Sequence, residues 1–260
     1  MFAPRVIPTL TLVEDGLYRT RRFKKPSYVG DPLNAVRIFN EKEVDELIVL
    51  DITPEHKWNE GRLRLLEEMA AEAFMPMALG GNLSSVEHVE QAFAMGYDKV
   101  VINSAAFDNT ELIELLAGRF GGQSIVVSID VRKKLFGGRT VHSNLGRKAE
   151  RVDPVDHAVR CERAGAGEII IRSIDHDGLM QGFDVELIER VSSAVTIPVV
   201  AAGGAGSIGD FALAIAAGAH SVSAGSMFVY HGPHKAVLIN YPGTEEIRKV
   251  LEHADASRRY

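Results

Sequence analysis

The chain has 260 residues, of which 46% are hydrophobic and 25% are charged, a balance typical of a folded globular protein. Its formal net charge of −6 argues against a general nucleic-acid-binding surface, and its one cysteine excludes an internal disulfide and a cysteine-rich metal site. No N-terminal basic region precedes an apolar run, and no apolar stretch approaches the roughly 18 residues of a membrane span. We therefore expect a cytoplasmic protein with no membrane or nucleic-acid partner.

Strand-like runs alternate with amphipathic runs along the chain. The predicted strands are Val6–Leu12, Glu46–Ile52, Met75–Leu79, Lys99–Ile102, Ser124–Asp130, Glu168–Ser173, Pro198–Ala201 and Ser221–Ala224. The predicted helices include Leu33–Glu43, Glu60–Ala73, Val86–Met95, Leu112–Arg119, Pro154–Ala164, Val185–Ala194 and Ile208–Ala217. Eight strands alternating with helices predict a parallel sheet closed as a (βα)8 TIM barrel. No linker-like segment interrupts the alternation, so residues 1–260 are predicted to form one barrel domain.

The segment Asp15–Gly30, after the first predicted strand, is longer than most loops of compact domains. It carries five cationic residues in an acidic chain, namely Arg19, Arg21, Arg22, Lys24 and Lys25. We interpret the segment as a basic lid that closes over an anionic substrate. A solvated charge run without a binding role is the alternative.

Glycine-rich turns follow the seventh and eighth predicted strands. Gly203-Gly204 and Gly225-Ser226 allow backbone N–H groups to approach an oxyanion, and the helix that starts after Ser207 adds a favourable dipole. Loops after strands seven and eight commonly bind phosphate in such barrels. Ordinary strand–helix turns are the alternative.

The first half of the chain repeats both turns. Gly80 precedes Gly203 by 123 positions within similar sequences, and Ile102 precedes Ser223 by 121 positions. Two repeats at nearly the same offset predict two half-barrels, each with an anion-binding pair of turns, which suits a substrate with a phosphate at both ends. The predicted phosphate-binding residues are Gly81, Asn82, Asn103, Ser104, Gly203, Gly204, Gly225 and Ser226.

Carboxylates follow three predicted strands at the end of the barrel that carries the chemistry of this fold. Asp130 ends strand five, Asp51 ends strand two, and Asp175 and Asp177 follow strand six. A carboxylate in a pocket can transfer protons when burial raises its pKa, although for Asp51 a structural role is at least as plausible. No spacing of histidines indicates a metal site, and no cofactor is predicted.

Taken together, these residues resemble the HisF family, the cyclase subunit of imidazole glycerol phosphate synthase. The resemblance runs from Arg5 to about Gly232 and is specific in the stretches Asp45–Ile52, Asp98–Ala106, Gly165–Ile169 and Ala202–Gly206. It implies a (βα)8 barrel that receives ammonia from a HisH-like glutaminase and uses it to cleave and cyclise a substrate with two phosphates. The sister isomerase family HisA shares the half-barrel repeat but matches these stretches less well.

The resemblance also implies a partner-facing end of the barrel. The family's ammonia gate is a ring of four charges at the bottom of the barrel. Its positions match Arg5, Glu46, Lys99 and Glu168, each at the start of a predicted strand. Asp98 matches the family's contact to the glutaminase. Unrelated surface charges are the alternative to such a ring.

At the catalytic end the match is partial. Asp130 matches one of the family's two essential carboxylates, but Thr11 stands in place of the other, and a threonine hydroxyl is not a base near neutral pH. Arg19 stands where the family has a lysine, and Asn82 replaces a glycine of the family's phosphate-binding turn. The predicted catalytic positions are therefore Asp130, Thr11, Arg19 and Asp177.

This combination, with the stretches Lys25–Pro32 and Gly232–Pro242, resembles a branch of the family that makes acetamidino sugars for surface polysaccharides. That branch works with a HisH-like glutaminase and a sugar amidotransferase. Three readings stay open: a subunit that delivers ammonia to a phosphorylated substrate, the histidine-pathway cyclase, and a scaffold that passes ammonia on without cyclisation. A HisA-like isomerase would not need the charged ring.

Overall fold

The computed structural model describes residues 4–53, 58–135, 137–232 and 234–257. Its strands are β1 (Arg5–Val13), β2 (Gly16–Arg21), β3 (Lys24–Gly30), β4 (Leu47–Asp51), β5 (Met77–Gly80), β6 (Lys99–Ile102), β7 (Ile125–Lys133), β8 (Arg139–Ser143), β9 (Lys148–Ala149), β10 (Glu168–Ser173), β11 (Val199–Ala202), β12 (Ser221–Ala224), β13 (Tyr230–His231) and β14 (Ala236–Val237). Its helices are α1 (Pro32–Glu41), α2 (Glu60–Glu72), α3 (Val86–Ala94), α4 (Ala105–Asp108), α5 (Thr110–Phe120), α6 (Pro154–Arg163), α7 (Val185–Ser192), α8 (Ile208–Ala216) and α9 (Thr244–Ser257).

Eight parallel strands close a barrel with helices between them, which confirms the predicted (βα)8 fold. They pair in the order β1, β4, β5, β6, β7, β10, β11 and β12, and β12 pairs back with β1. In the register between β7 and β10, Asp130 lies opposite Arg172. All strands run in one direction, so their carboxyl ends meet at one mouth of the barrel and their amino ends at the other.

Successive side chains of each strand point to opposite faces of the sheet, which divides the apolar residues into two cores. Side chains on the outer face of the sheet pack against the helices, which contribute Phe39 of α1 and Phe211 of α8, two of the largest fully buried side chains. Side chains on the inner face fill the barrel. The inner core consists of Ile7, Ile48, Leu50, Ala78, Val101, Val126, Ile170, Val200 and Ala202.

The helices begin where the sequence supplies a cap. The side chains of Asp31, Asn59, Ser85 and Asp153 each accept a hydrogen bond from a backbone N–H in the first turn of the following helix. Pro32 and Pro154 occupy the first helical positions, where no N–H is needed. The predicted ends of strands and helices lie within two residues of the observed ones, except that β7 continues to Lys133.

The segment Asp15–Gly30 has regular structure rather than being a loop, and its role as a lid stays a prediction. The segment forms the hairpin β2–β3, and β2 pairs with the end of β1. Arg22 and Phe23 adopt positive φ values of 53° and 62° at its tip, the backbone of a tight two-residue turn. β7 extends into a second hairpin with β8, so the first and fifth barrel strands carry equivalent extensions.

The C-terminal part adds elements that the alternation did not predict. The short pair β13–β14 and helix α9 follow the last barrel strand, and Tyr241 between them donates its hydroxyl hydrogen to the carbonyl of Val6 at 3.1 Å. α9 packs chiefly beside α8. Among the described helices, none is long and apolar enough to cross a membrane.

Candidate functional site

A cavity of about 1180 Å³ opens at the carboxyl ends of the barrel strands. The structure brings together at this one cavity all twelve residues predicted as catalytic or phosphate-binding. They are Thr11, Arg19, Gly81, Asn82, Asn103, Ser104, Asp130, Asp177, Gly203, Gly204, Gly225 and Ser226. The roles of these residues remain predictions, but their placement in one pocket is what a shared substrate requires.

The cavity rim carries backbone N–H groups that the chain itself does not use. Four residues directly follow a barrel strand and donate no backbone hydrogen bond to any described residue: Gly81, Asn103, Gly203 and Gly225. After β4 and β10, in contrast, the N–H of Ile52 donates to Leu12 at 2.9 Å and that of Ile174 donates to Val131 at 2.8 Å. The unused N–H groups therefore form two adjacent pairs, one in each half-barrel, each able to hold an oxyanion.

The turn after β5 needs an unusual backbone conformation at two adjacent residues. Gly81 has a φ of +111°, and a Cβ there would lie 2.1 Å from the carbonyl oxygen of Asp51. Asn82 has a φ of 52°, in the left-handed region that asparagine tolerates better than most residues. Asn82 in place of glycine is therefore compatible with the turn, although it adds a side chain to the cavity wall.

The start of α8, which was predicted to add a favourable dipole to the anion site, is capped by a carboxylate of the chain itself. The carboxylate of Asp210 accepts hydrogen bonds from the N–H groups of Gly206 and Ser207, both at 2.9 Å. The N–H of Asp210 donates to the Ser207 hydroxyl at 3.3 Å, which completes a capping box. Because a carboxylate of the chain already occupies this helix terminus, anion binding in the second half-barrel depends on the N–H groups of Gly203 and Gly225.

Asp130 is buried on β7, three residues before that strand ends. Its Oδ2 accepts a hydrogen bond from Asn103 Nδ2 at 3.2 Å, and its Oδ1 has no hydrogen-bond partner of good geometry among the described residues. Burial raises the pKa of Asp130 from 3.8 to about 6, and the positive charge of Arg172 opposes that rise. A carboxyl group with this pKa can both accept and release a proton near neutral pH.

Arg172 is a cavity residue that the sequence analysis missed. Its side chain lines the pocket beside Asp130, and its Cγ would lie 3.1 Å from a Cβ at Gly203. Within the described residues it makes no hydrogen bond or ion pair. The signal that was missed is the alternation along β10, which puts its first, third and fifth residues, Glu168, Ile170 and Arg172, on the inner face.

Arg19 lies much deeper than a lid residue would. Its guanidinium is 8% exposed, donates to the carbonyl of Thr9, and lies against Gly225, where a Cβ would come within 2.0 Å of its Nη1. Burial lowers the pKa of Arg19 to about 10, and the nearby Asp177 opposes that shift. Burial likewise raises the pKa of Asp177, opposed by Arg172 and Arg19. Arg19 therefore lies beside the second pair of unused N–H groups, those of Gly203 and Gly225.

The other acidic candidates have structural partners. Asp51 Oδ1 accepts from the N–H of Thr53 at 3.0 Å, and its Oδ2 lies 3.3 Å from Nε of Arg62. Asp175 accepts from the N–H of Lys133 at 2.8 Å. Asp51 lines the cavity but is held by these partners, and Asp175 does not line it, which leaves Asp130 and Asp177 as the candidate acids and bases.

At the opposite mouth, the four residues of the predicted gate form a closed ring of ion pairs. Arg5 pairs with both Glu46 and Glu168, and Lys99 Nζ lies 3.0 Å from a carboxylate oxygen of each glutamate. Arg5 Nε also donates to the Ser221 hydroxyl at 3.1 Å. Both glutamate side chains are more than nine-tenths buried, so the cations neutralise charges that would otherwise be costly inside the barrel.

One apolar layer separates the ring from the cavity. Along β10, Glu168 belongs to the ring, Ile170 to the inner core and Arg172 to the cavity. The inner-core residues that do not line the cavity are Ile7, Ile48, Ala78, Val126, Ile170 and Val200. The two mouths of the barrel are thus divided by a ring of charges and one layer of aliphatic side chains.

Asp98, the predicted partner contact, has a role within the chain. Its Oδ2 accepts a hydrogen bond from the N–H of Met77 at 2.9 Å, at the start of β5. Asp45 does the same for Val6 at the start of β1, also at 2.9 Å. Asp98 is exposed beside Lys99, so it is accessible on the face that carries the ring.

Comparison with known proteins gives matches along most of the chain. Residues 5–235 match the sequence profile of the family described as "Histidine biosynthesis protein". Two relatives have provisional names as imidazole glycerol phosphate synthase subunits: hisF2 of Pseudomonas aeruginosa is 48% identical over 248 residues (95% of this chain, 99% of that protein), and hisF3 of Vibrio vulnificus is 43% identical over 257 residues (97% and 98%). The imidazole glycerol phosphate synthase subunit HisF of Alkaliphilus metalliredigens is 38% identical over 232 residues (89% and 92%).

Proposed function

Since this chain belongs to the histidine biosynthesis protein family and is a HisF-type barrel, we propose that it receives ammonia from a HisH-type glutaminase docked on the ring face. The relatives are named as subunits, which implies a complex with at least one other protein. The observation that carries the proposal is the closed ring of Arg5, Glu46, Lys99 and Glu168 beneath a single apolar layer.

The ring and the apolar layer suit the transfer of ammonia rather than ammonium. An ion that left the ring would face the aliphatic side chains of Ile48, Val126 and Ile170 without a partner, at a large cost in free energy. A neutral ammonia molecule loses much less on entering this layer. Above it, ammonia meets the hydroxyls of Thr9 and Ser223, which hydrogen-bond to each other on the cavity floor.

The substrate in the cavity is proposed to carry two phosphates. The two pairs of unused N–H groups support one phosphate in each half-barrel, and the buried guanidinium of Arg19 supplies positive charge beside Gly225. Asp130 is on β7, between the strand pairs β5–β6 and β11–β12 that carry the two phosphate-binding turns, and it lines the same cavity. In this arrangement it is the acid–base group nearest to the reacting atoms.

The acceptor of the ammonia is proposed to differ from the histidine-pathway substrate. Thr11 offers no carboxylate on β1, so the second proton transfer of a cyclisation lacks a positioned group. Amidination in acetamidino-sugar biosynthesis, with a sugar amidotransferase as a further partner, fits a barrel with its ammonia entrance intact and its acid–base pair incomplete. The histidine-pathway cyclase is the second candidate, favoured by the 38% identity to HisF proteins.

The test is complex formation with the HisH-type glutaminase from the same source, measured by calorimetry. Asp98 needs two variants, because it also holds the N–H of Met77. Asp98→Asn keeps an acceptor oxygen and removes the charge, whereas Asp98→Lys removes both. We expect no more than a small loss of affinity in the first and at least a tenfold loss in the second, since an unpaired charge at an interface is costly. If the unmodified barrel binds none of the available glutaminases, the proposal is wrong.

A further inference from the structure

Four charged side chains that act on one another line the cavity. Arg19 and Arg172 supply two positive charges, and Asp130 and Asp177 supply two negative charges. Burial and mutual charge effects link all four, since Arg172 acts on Asp130, Asp177 and Arg19. The four formal charges sum to zero, so an uncharged group bound among them leaves that balance unchanged.

The cluster contains one hydrogen-bond acceptor, on Asp130, and one donor, on Arg172, that have no partner among the described residues. Asp130 is 6% exposed, and its Oδ1 lacks a good partner in the described structure, which leaves a buried acceptor unsatisfied. Arg172 lies opposite Asp130 across the β7–β10 pair, yet the two side chains form no ion pair within 4.0 Å. Its guanidinium is held by no other described residue, so it can turn toward a ligand as a donor.

The geometry of Asp130 fixes which oxygen is available. Asn103 Nδ2 donates both to Asp130 Oδ2 at 3.2 Å and to the carbonyl of Ser128 at 2.8 Å. This amide group anchors one carboxylate oxygen to the wall and leaves the other for a donor from outside. An acceptor on β7 and a donor on β10 thus stand side by side at one level of the barrel.

We propose that Arg172 and Asp130 together bind a planar amide group of the substrate in the cavity. The amide carbonyl oxygen accepts from the Arg172 guanidinium, and the amide N–H donates to Asp130 Oδ1. An uncharged group with a donor and an acceptor side by side satisfies both orphan groups without adding a charge to the balanced cluster. This inference rests on the proposed function, because it names the chemical group that meets the incoming ammonia.

Binding of two small probes to the isolated barrel tests the inference by ¹⁹F NMR. Trifluoroacetamide offers a donor and an acceptor, whereas trifluoroacetate has the same shape but offers only acceptors and a negative charge. We expect the amide to bind roughly tenfold more tightly than the carboxylate, with Arg172→Met reducing amide affinity roughly tenfold. Asp130→Leu should do the same, and Asp130→Asn, which keeps an oxygen acceptor, should lose less.

Arg132→Met is the matched control, because Arg132 lines the same cavity two residues beyond Asp130 on β7. It should leave amide affinity within about twofold. If Asp130→Leu does not fold, as judged by its circular dichroism, the Arg172→Met result decides. Equal or tighter binding of the carboxylate, or unchanged amide binding in Arg172→Met, overturns the inference. The probes need no glutaminase, so this result is independent of whether a glutaminase binds.

Discussion

The hydroxyl of Thr11 donates a hydrogen bond to the backbone carbonyl oxygen of Tyr18. This bond joins the inner face of β1 to strand β2 of the hairpin above the cavity. Position 11, where the resemblance to the HisF family predicts a carboxylate, is therefore occupied by a group with a structural role. A substitution there acts on the hairpin as well as on the chemistry.

Replacing Thr11 by aspartate should destabilise the protein and restore little cyclisation. At neutral pH the carboxylate has no hydrogen to donate, so the Tyr18 carbonyl loses its partner and faces a negative charge. We expect the free energy of unfolding to fall by about 1–3 kcal/mol in urea titrations. Thr11→Ser, which keeps the donor, should stay within about 1 kcal/mol. An aspartate variant as stable as the parent that also cyclises the histidine-pathway substrate would contradict this.

Gly225→Ala should weaken phosphate binding by moving Arg19. A Cβ at position 225 would lie 2.0 Å from Arg19 Nη1 and 2.5 Å from its Cζ, so the guanidinium must move away from the second pair of unused N–H groups. We expect roughly tenfold weaker binding of inorganic phosphate in calorimetric titrations. Gly243→Ala is the control, because nothing lies within 4 Å of a Cβ there. Equal phosphate affinity in the two variants would show that Arg19 does not serve this site.

The sequence predicted well whatever depends on local pattern. The alternation of strand-like and amphipathic runs located the eight barrel strands and the helices between them. The repeat of the glycine-rich turns located the unused N–H groups of Gly81 and Gly203. The four ring residues were predicted from the resemblance to the HisF family, and they meet because parallel strands bring their amino ends together.

What the sequence did not predict depends on contacts between distant segments. The basic composition of Asp15–Gly30 suggested a lid over the substrate but not the β2–β3 hairpin, whose pairing with β1 places Arg19 against Gly225. Likewise, the capping carboxylate of Asp210 was not apparent from the glycines beside it. A charged side chain can pair with groups of its own chain or with a ligand, and only the three-dimensional structure distinguishes the two cases.

Asp130→Asn should make the folded protein more stable at neutral pH. The pKa of Asp130 is raised to about 6 in the folded state, above its ordinary value of 3.8. Between these two pH values the folded state binds more protons than the unfolded state, so stability falls as pH rises and stays lower above about pH 6. We expect a gain on the order of 2–3 kcal/mol at pH 7 and little gain at pH 4 in urea titrations. A gain independent of pH would show that desolvation of this carboxylate is not its source.

The ring should behave as one coupled unit in unfolding experiments. Lys99→Met removes one cation from two glutamates that are 5% and 7% exposed, and leaves Arg5 to neutralise both. We expect the free energy of unfolding to fall by about 1–3 kcal/mol, less than for a wholly buried pair because Lys99 is 20% exposed. Adding Glu46→Gln to Lys99→Met should then cost less than Glu46→Gln alone, because it relieves the excess negative charge. A double-mutant cycle in urea should give a coupling of about 1 kcal/mol or more. Costs that simply add would mean that the four side chains do not share their charges, and the gate proposed for ammonia would lose its physical basis.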